Sequence, residues 1–166
     1  MKLSAAGERG DDNMASNLKV IITNPQTIFK VPSGTRMLVR RSCHATLEHE
    51  HYDQRIDINV VFADNEMLRS YDDMRAGVLE APEVIALPPD REGCLGTLII
   101  SVERITELTK VYNRPYEMGI AYASVHGVLN LLGQYYTDQQ AKDSQMFKEA
   151  RILTLLGYSP LVTHTP

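Results

Sequence analysis

The sequence predicts a single α/β (α+β) domain, with a mixed sheet of about four strands packed against helices. Three observations carry that prediction. Short apolar runs rich in β-branched residues occur at 18–23, 56–63, 83–87 and 95–101, each bounded by Pro, Asn, Asp or Gly. Longer stretches between and after them place apolar residues at helical spacing. The resulting order is β-α-β-α-β-β-α-α-α, with no internal repeat or low-complexity tract. At 166 residues the chain suits one domain with a proper core, read as residues 17–166 behind a flexible polar arm at 1–16.

Taken in order, L-K-V-I-I-T (18–23) is a strand stopped by Asn24-Pro25. Pro32 and Ser33 open a helix to about His51, with Ser33 as its cap and Met37, Leu38, Cys43 and Leu47 as its inward face. Arg36, Arg40 and Arg41 cluster on the opposite side and form the best local basic patch, readable as a solvated face or as an RNA contact. His44, His49 and His51 read as ordinary exposed residues, since positions two apart diverge on a helix. I-D-I-N-V-V-F-A (56–63) alternates and then becomes wholly apolar, as a sheet strand does. Asp64-Asn65 caps a short helix to about Met74. E-V-I-A-L (83–87) lies between prolines, which suits an edge strand, and L-G-T-L-I-I-S (95–101) is the next strand. A helix near 102–110 follows. Pro115 then starts the central helix, where its missing N–H costs nothing, and a last helix at about 137–156 stops at Gly157.

Composition excludes some classes of function. A formal net charge of -4 argues against a generally basic nucleic-acid coat, though a local patch is compatible with it. No apolar run approaches the roughly 18 residues of a membrane span, so no membrane partner is expected. Cys43 and Cys94 lack C-x-x-C spacing and read as buried or free thiols of a reducing compartment. The first residues form neither a secretory signal nor a good transit peptide.

The stretch from Ile120 to Tyr136, I-A-Y-A-S-V-H-G-V-L-N-L-L-G-Q-Y-Y, organises the rest. Val125, Leu129 and Leu132 recur at helical spacing, and His126 and Asn130 lie one turn apart on one side. Gly133 sits where the helix should stop, and Tyr136 follows three residues later. Together these make a three-point cup. The pattern resembles the signature H-G-x-L-H-L-x-G-x-D-H of the YbeY family of rRNA-maturation endoribonucleases, matched by His126, Gly127, Leu129, Leu131 and Gly133. Between Asp64 and Pro88 the family pattern continues without gaps through Asp64, Glu66, Gly77, Val84 and Pro88. L-G-T-L-I-I-S and M-F-K-E-A-R-I-L-T-L-L-G-Y resemble its strand and closing helix.

In that family three histidines hold a metal taken to be zinc, with an open fourth position for water or phosphate. The resemblance places the ligand positions at His126, Asn130 and Tyr136, of which only His126 keeps the imidazole. Losing one ligand of such a site costs several of the roughly 10–16 kcal/mol that structural zinc sites provide. Ala76 stands at the position of the family's phosphate-handling arginine, with Arg75 beside it, and Pro82, Ala86 and Thr97 replace further polar positions. The change falls on polar site positions while the apolar frame is kept. The expectation is therefore a factor of small-subunit ribosome biogenesis that binds rRNA and ribosomal or assembly-factor proteins without catalysis and without a cofactor. Arg36, Arg40, Arg41, Arg75 and Arg114 are the candidate RNA contacts, Asn130 is free to bond His126, and DNA is not a partner. The alternative is a metal-dependent, single-strand-specific endoribonuclease with an altered ligand set: His126, Tyr136 as phenolate and a carboxylate such as Asp138. A metalloprotease is disfavoured because H-E-x-x-H is absent. The ligand departures and the chain's ending fit a mitochondrial homologue better than a bacterial cytoplasmic one.

Overall fold

A computed structural model describes residues 17–72 and 82–159. The elements follow the predicted order: β1 (Leu18–Thr23), α1 (Thr35–His49), β2 (Ile56–Ala63), α2 (Asn65–Asp72), β3 (Val84–Leu87), β4 (Cys94–Ser101), α3 (Val102–Tyr112), α4 (Tyr116–Leu131) and α5 (Gln139–Leu155). The arm at 1–16, together with Arg75, Ala76 and Gly77, lies outside the described residues. In the mixed sheet the strands run β1-β2-β4-β3. β1, β2 and β4 are parallel, and β3 is antiparallel to β4 at the edge, as its flanking prolines require.

Alternation along the strands sets the two faces. Ile58, Val60 and Phe62 of β2 join Leu98 and Ile100 of β4 in the main core. The opposite face carries a smaller cluster of Ala63, Ile85 and Ile99, closed by Leu68 of α2. Helix α2 starts where Asp64 Oδ1 accepts the Met67 N–H at 2.8 Å. Helix α4 packs against α1, α3, α5, β3 and β4 at once. It is consequently buried nearly all round, with Met118, Ile120, Val125, Val128 and Leu129 among its inward residues.

The start of α1 corrects the sequence reading. Ser33 is not the cap; Gly34 occupies that position with φ of 91°, and no side chain caps the helix. A left-handed residue there suits glycine and turns the chain without a hydroxyl. The helix ends at His49, two residues early, and His51 adopts a left-handed φ of 58°. Met37 is 47% exposed and so does not belong to the inward face, which Leu38, Val39, Cys43 and Leu47 make. His44 is 2% exposed, against the expectation of a surface residue, because it falls on the α1 face beside Cys43. Cys43 and Cys94 are both buried and unbridged, and burial pushes the Cys43 thiol up to about 12.

Glu50 ties the end of α1 to α5. Its Oε1 accepts from Gln134 Nε2 at 2.8 Å and Lys148 Nζ at 3.0 Å, while Oε2 pairs with His49 Nδ1 at 2.9 Å. Burial alone would raise its pKa, but the bonds from Gln134, His49 and Lys148, with the Lys148 charge, hold it below the ordinary value. A depressed carboxylate stabilises the fold above its unfolded pKa and loses that contribution as pH falls through the folded one. Wild type is therefore expected to be more stable than Glu50→Gln near pH 7, with the gap closing below pH ~4. Urea midpoints of the two proteins across pH 3–7 test this.

Candidate functional site at the central helix

Between Met118 and Asn130 three side chains break the burial of α4: Tyr122, His126 and Asn130, four residues apart in series. They form one stripe along the helix. One such interval was legible as His126 and Asn130; Tyr122 extends it by a turn. The Tyr122 ring stacks on His126, with centroids 5.4 Å apart and planes at 23°. The helix then ends at a left-handed Gly133 with φ of 89°, whose N–H bonds Asn130 O at 2.9 Å while Gln134 N–H bonds Leu129 O at 2.9 Å. That reversal brings Tyr136 back over the stripe, its ring centroid 5.1 Å from that of His126 with the planes at 66°. The cup anticipated from the spacing of 126 and 136 is present.

What fills it comes from α5. Gln145, Glu149 and Ile152 lie on the buried side of that helix, and Glu149 is only 3% exposed. Tyr136 donates its hydroxyl to Glu149 Oε1 at 2.9 Å, and Gln145 Nε2 donates to Oε2 at 3.0 Å. His126 Nδ1 lies 2.6 Å from the same Oε2. A carboxylate only accepts, so the His126 proton in this contact sits on Nδ1. Three donors thus converge on one buried anion. Burial and the Glu149 charge push the Tyr136 phenol well above its ordinary value, and burial does the same for Tyr122.

Asn130 does not bond His126, as the sequence reading allowed. Its buried Oδ1 has no partner among the described residues, because the imidazole turns to Glu149 instead. Asp138 is equally committed elsewhere: it caps α5, accepting the Ala141 N–H at 2.8 Å. On its other side the stripe opens into a cleft of about 370 Å³ whose lining includes Glu83, Arg104, Tyr112, Tyr122 and His126. Arg114 pairs with Glu83 at 3.1 Å, with little exposure on either side, so it stiffens the cleft wall from within. Burial raises Glu83 above the usual carboxylate range in spite of Arg114. On α1, Arg36 and Arg41 are exposed and Arg40 is half-buried. The Arg36 guanidinium lies 5.8 Å from the Phe62 ring centroid. The candidate cations therefore divide between two regions, α1 and the cleft wall.

The family model described as Endoribonuclease YbeY matches residues 21–157. The chain belongs to the YbeY family. Among curated YbeY relatives, the Endoribonuclease YbeY of Caldanaerobacter subterraneus subsp. tengcongensis is 29% identical, over 84% of this chain and 98% of its own. That of Alkaliphilus oremlandii is 23% identical with the same coverage. The solution structure of TM1509 from Thermotoga maritima superposes with a TM-score of 0.53 at 15% identity, covering 82% of this chain and 91% of that one, and shares the fold. The YbeY motif glycines have physical reasons to persist. A Cβ on Gly127 would stand 2.8 Å from Leu98 Cδ2 and 3.2 Å from Val84 Cγ2, so α4 could seat on β3 and β4 only if those buried side chains shifted.

The side chains at the YbeY ligand positions do not fit a three-imidazole zinc site. The Tyr136 hydroxyl is a hydrogen-bond donor far from ionising and an asparagine amide is a poor zinc ligand, so His126, whose Nδ1 faces Glu149, is the one imidazole of the set. Among the described residues no group of three or more His, Cys, Asp or Glu is arranged to hold a metal ion. Sequence reasoning missed Glu149, the acceptor on which the cup closes.

Proposed function

We propose that this YbeY-family chain serves small-subunit ribosome biogenesis and rRNA maturation by binding rRNA and ribosomal or assembly-factor proteins, without cutting RNA. One observation carries the reading: the Tyr136 hydroxyl, at a family ligand position, donates to the Glu149 carboxylate at 2.9 Å, and burial with the Glu149 charge keeps it from ionising. A site built to hold a cation presents lone pairs to one point. Here the Tyr136 oxygen, which would have to ionise to serve as a ligand, instead donates its proton to an internal carboxylate. RNA and ribosome as partners follow from the family, whose curated relatives carry the name endoribonuclease. The exposed Arg36 and Arg41 supply cations for phosphate contacts. A mitochondrial site of action rests on the divergence at the ligand positions.

The test combines three measurements on the full chain. Metal analysis after purification without chelator should find well under one zinc per chain. Single-stranded RNA should stay intact with or without added Zn²⁺ or Mn²⁺, and the protein should co-sediment with small ribosomal subunits. Near-stoichiometric zinc lost in His126→Ala, or cleavage abolished by chelation, would establish the altered-ligand endoribonuclease instead.

A further inference from the structure

We propose that the groove between the C-terminal end of α1 and the outer side of α5 is a second site, separate from the His126 cup, that binds single-stranded RNA; this rests on the reading of the chain as an RNA-binding factor. The groove has a volume of about 540 Å³, and its lining includes Glu48, His49, His51, Phe147, Lys148 and Arg151. That size lies within the range of small-molecule sites. Phe147 is 66% exposed, which gives an apolar ring a large open face for no packing gain. Arg151 lies four residues on, one turn along the same helix.

The charged lining is built rather than incidental. Beneath it, Glu50 holds Lys148 at 3.0 Å and His49 at 2.9 Å, and Gln134 adds a second contact to Lys148 at 2.8 Å. These bonds fix the ammonium and the imidazole in place and turn His49 Nε2 away from the carboxylate. Glu50 offsets the Lys148 charge and Glu48 is a second acid of the lining, so Arg151, beside the exposed Phe147, is the cation the groove offers most openly. In a chain with net charge -4 this clustering is local.

Cations that follow a strand's phosphates, interleaved with an aromatic platform, are what sequence-tolerant single-strand binding requires, because every base has a π-face. An acidic peptide would engage the same cations and leave Phe147 unused. The aromatic ring therefore favours RNA.

The experiment uses the full chain and a fluorescein-labelled twelve-nucleotide oligouridylate, with anisotropy read across a salt series. Phe147 and Arg151 are both exposed, so Phe147→Ala and Arg151→Gln should keep the wild-type melting profile by circular dichroism. Phe147→Ala is expected to bind about tenfold more weakly. Arg151→Gln should flatten the slope of log affinity against log salt by about 0.7. Wild-type affinity and slope in both variants would overturn the site while leaving the proposed function standing. No oligouridylate binding by the wild type would also overturn it; the proposed function would then fall only if co-sedimentation with small subunits failed too. Binding of an oligoglutamate peptide that depends on Arg151 but not on Phe147, without oligouridylate binding, would assign the groove to a protein partner and overturn the inference.

Discussion

Glu149→Ala is expected to destabilise the protein by about 3–5 kcal/mol, as several buried donors lose one shared acceptor. The reason is the number of groups left behind. His126, Tyr136 and Gln145 all donate to this carboxylate, in a site where Glu149 is 3% exposed. Each stranded donor carries a desolvation cost of roughly 1–3 kcal/mol, partly relieved where Tyr136 reaches water. Glu149→Gln should cost less, about 1–2 kcal/mol, because one amide oxygen still accepts while its NH₂ faces a donor. Thermal unfolding would register the alanine variant as a fall of roughly 6–20 °C for a chain of this size. A shift under about 2 °C would show that the three contacts do not hold α5 on α4, and with it would go the observation on which the metal-free reading stands. Zinc added to Glu149→Ala should restore little, since removing the anion leaves one imidazole and no second ligand of that kind.

How much of this was readable in the sequence depends on which signal each residue sent. The strands and α4 were legible because their apolar periods are strong and their stops are chemical: Pro88 after β3, Pro115 before α4, and Gly133 and Gly157 after α4 and α5. His126 and Tyr136 were legible by spacing. Glu149 was not, because M-F-K-E-A-R reads as the solvated face of a helix, while its inward register is set by Gln145 and Ile152, one polar and one apolar. An apolar period cannot reveal a buried carboxylate. Its burial is decided by donors from two other segments, Tyr136 in a loop and His126 on α4. Arg114 failed for a similar reason. It looked like a surface cation, and only the approach of Glu83 from the start of β3 shows that it stiffens a wall. Ser33 had the chemistry of a cap, but the backbone reverses one residue later, at Gly34.

Gly96→Ala is expected to be about as damaging as Glu149→Ala while touching no polar group of the cup. Gly96 lies in β4 just after an irregularity in its pairing with β2: Asp57 pairs with Cys94 and Ile58 with Gly96, so Leu95 is the extra residue. The bulge leaves Gly96 at φ of 148°, which L side chains rarely adopt, and a Cβ there would stand 2.4 Å from Leu87 O and 2.5 Å from Leu131 Cδ2. Leu131 can turn aside; a backbone carbonyl of the neighbouring strand cannot, so β3 must shift away from β4. Overpacking costs about 1–3 kcal/mol and the strained backbone roughly 1–3 more, which together predict a loss of about 2–6 kcal/mol in urea unfolding. Gly93→Ala is the matched control. Gly93 also has positive φ, 79°, but nothing lies within 4 Å of its Cβ, so only the backbone part, roughly 1 kcal/mol, should appear. Leu131→Ala placed on Gly96→Ala separates the two contacts: relief of the side-chain clash alone should recover under half of the loss. Full recovery would mean that Leu131, and so the end of α4 from which Tyr136 returns to His126, is what the glycine protects, and that the sheet edge has room to spare.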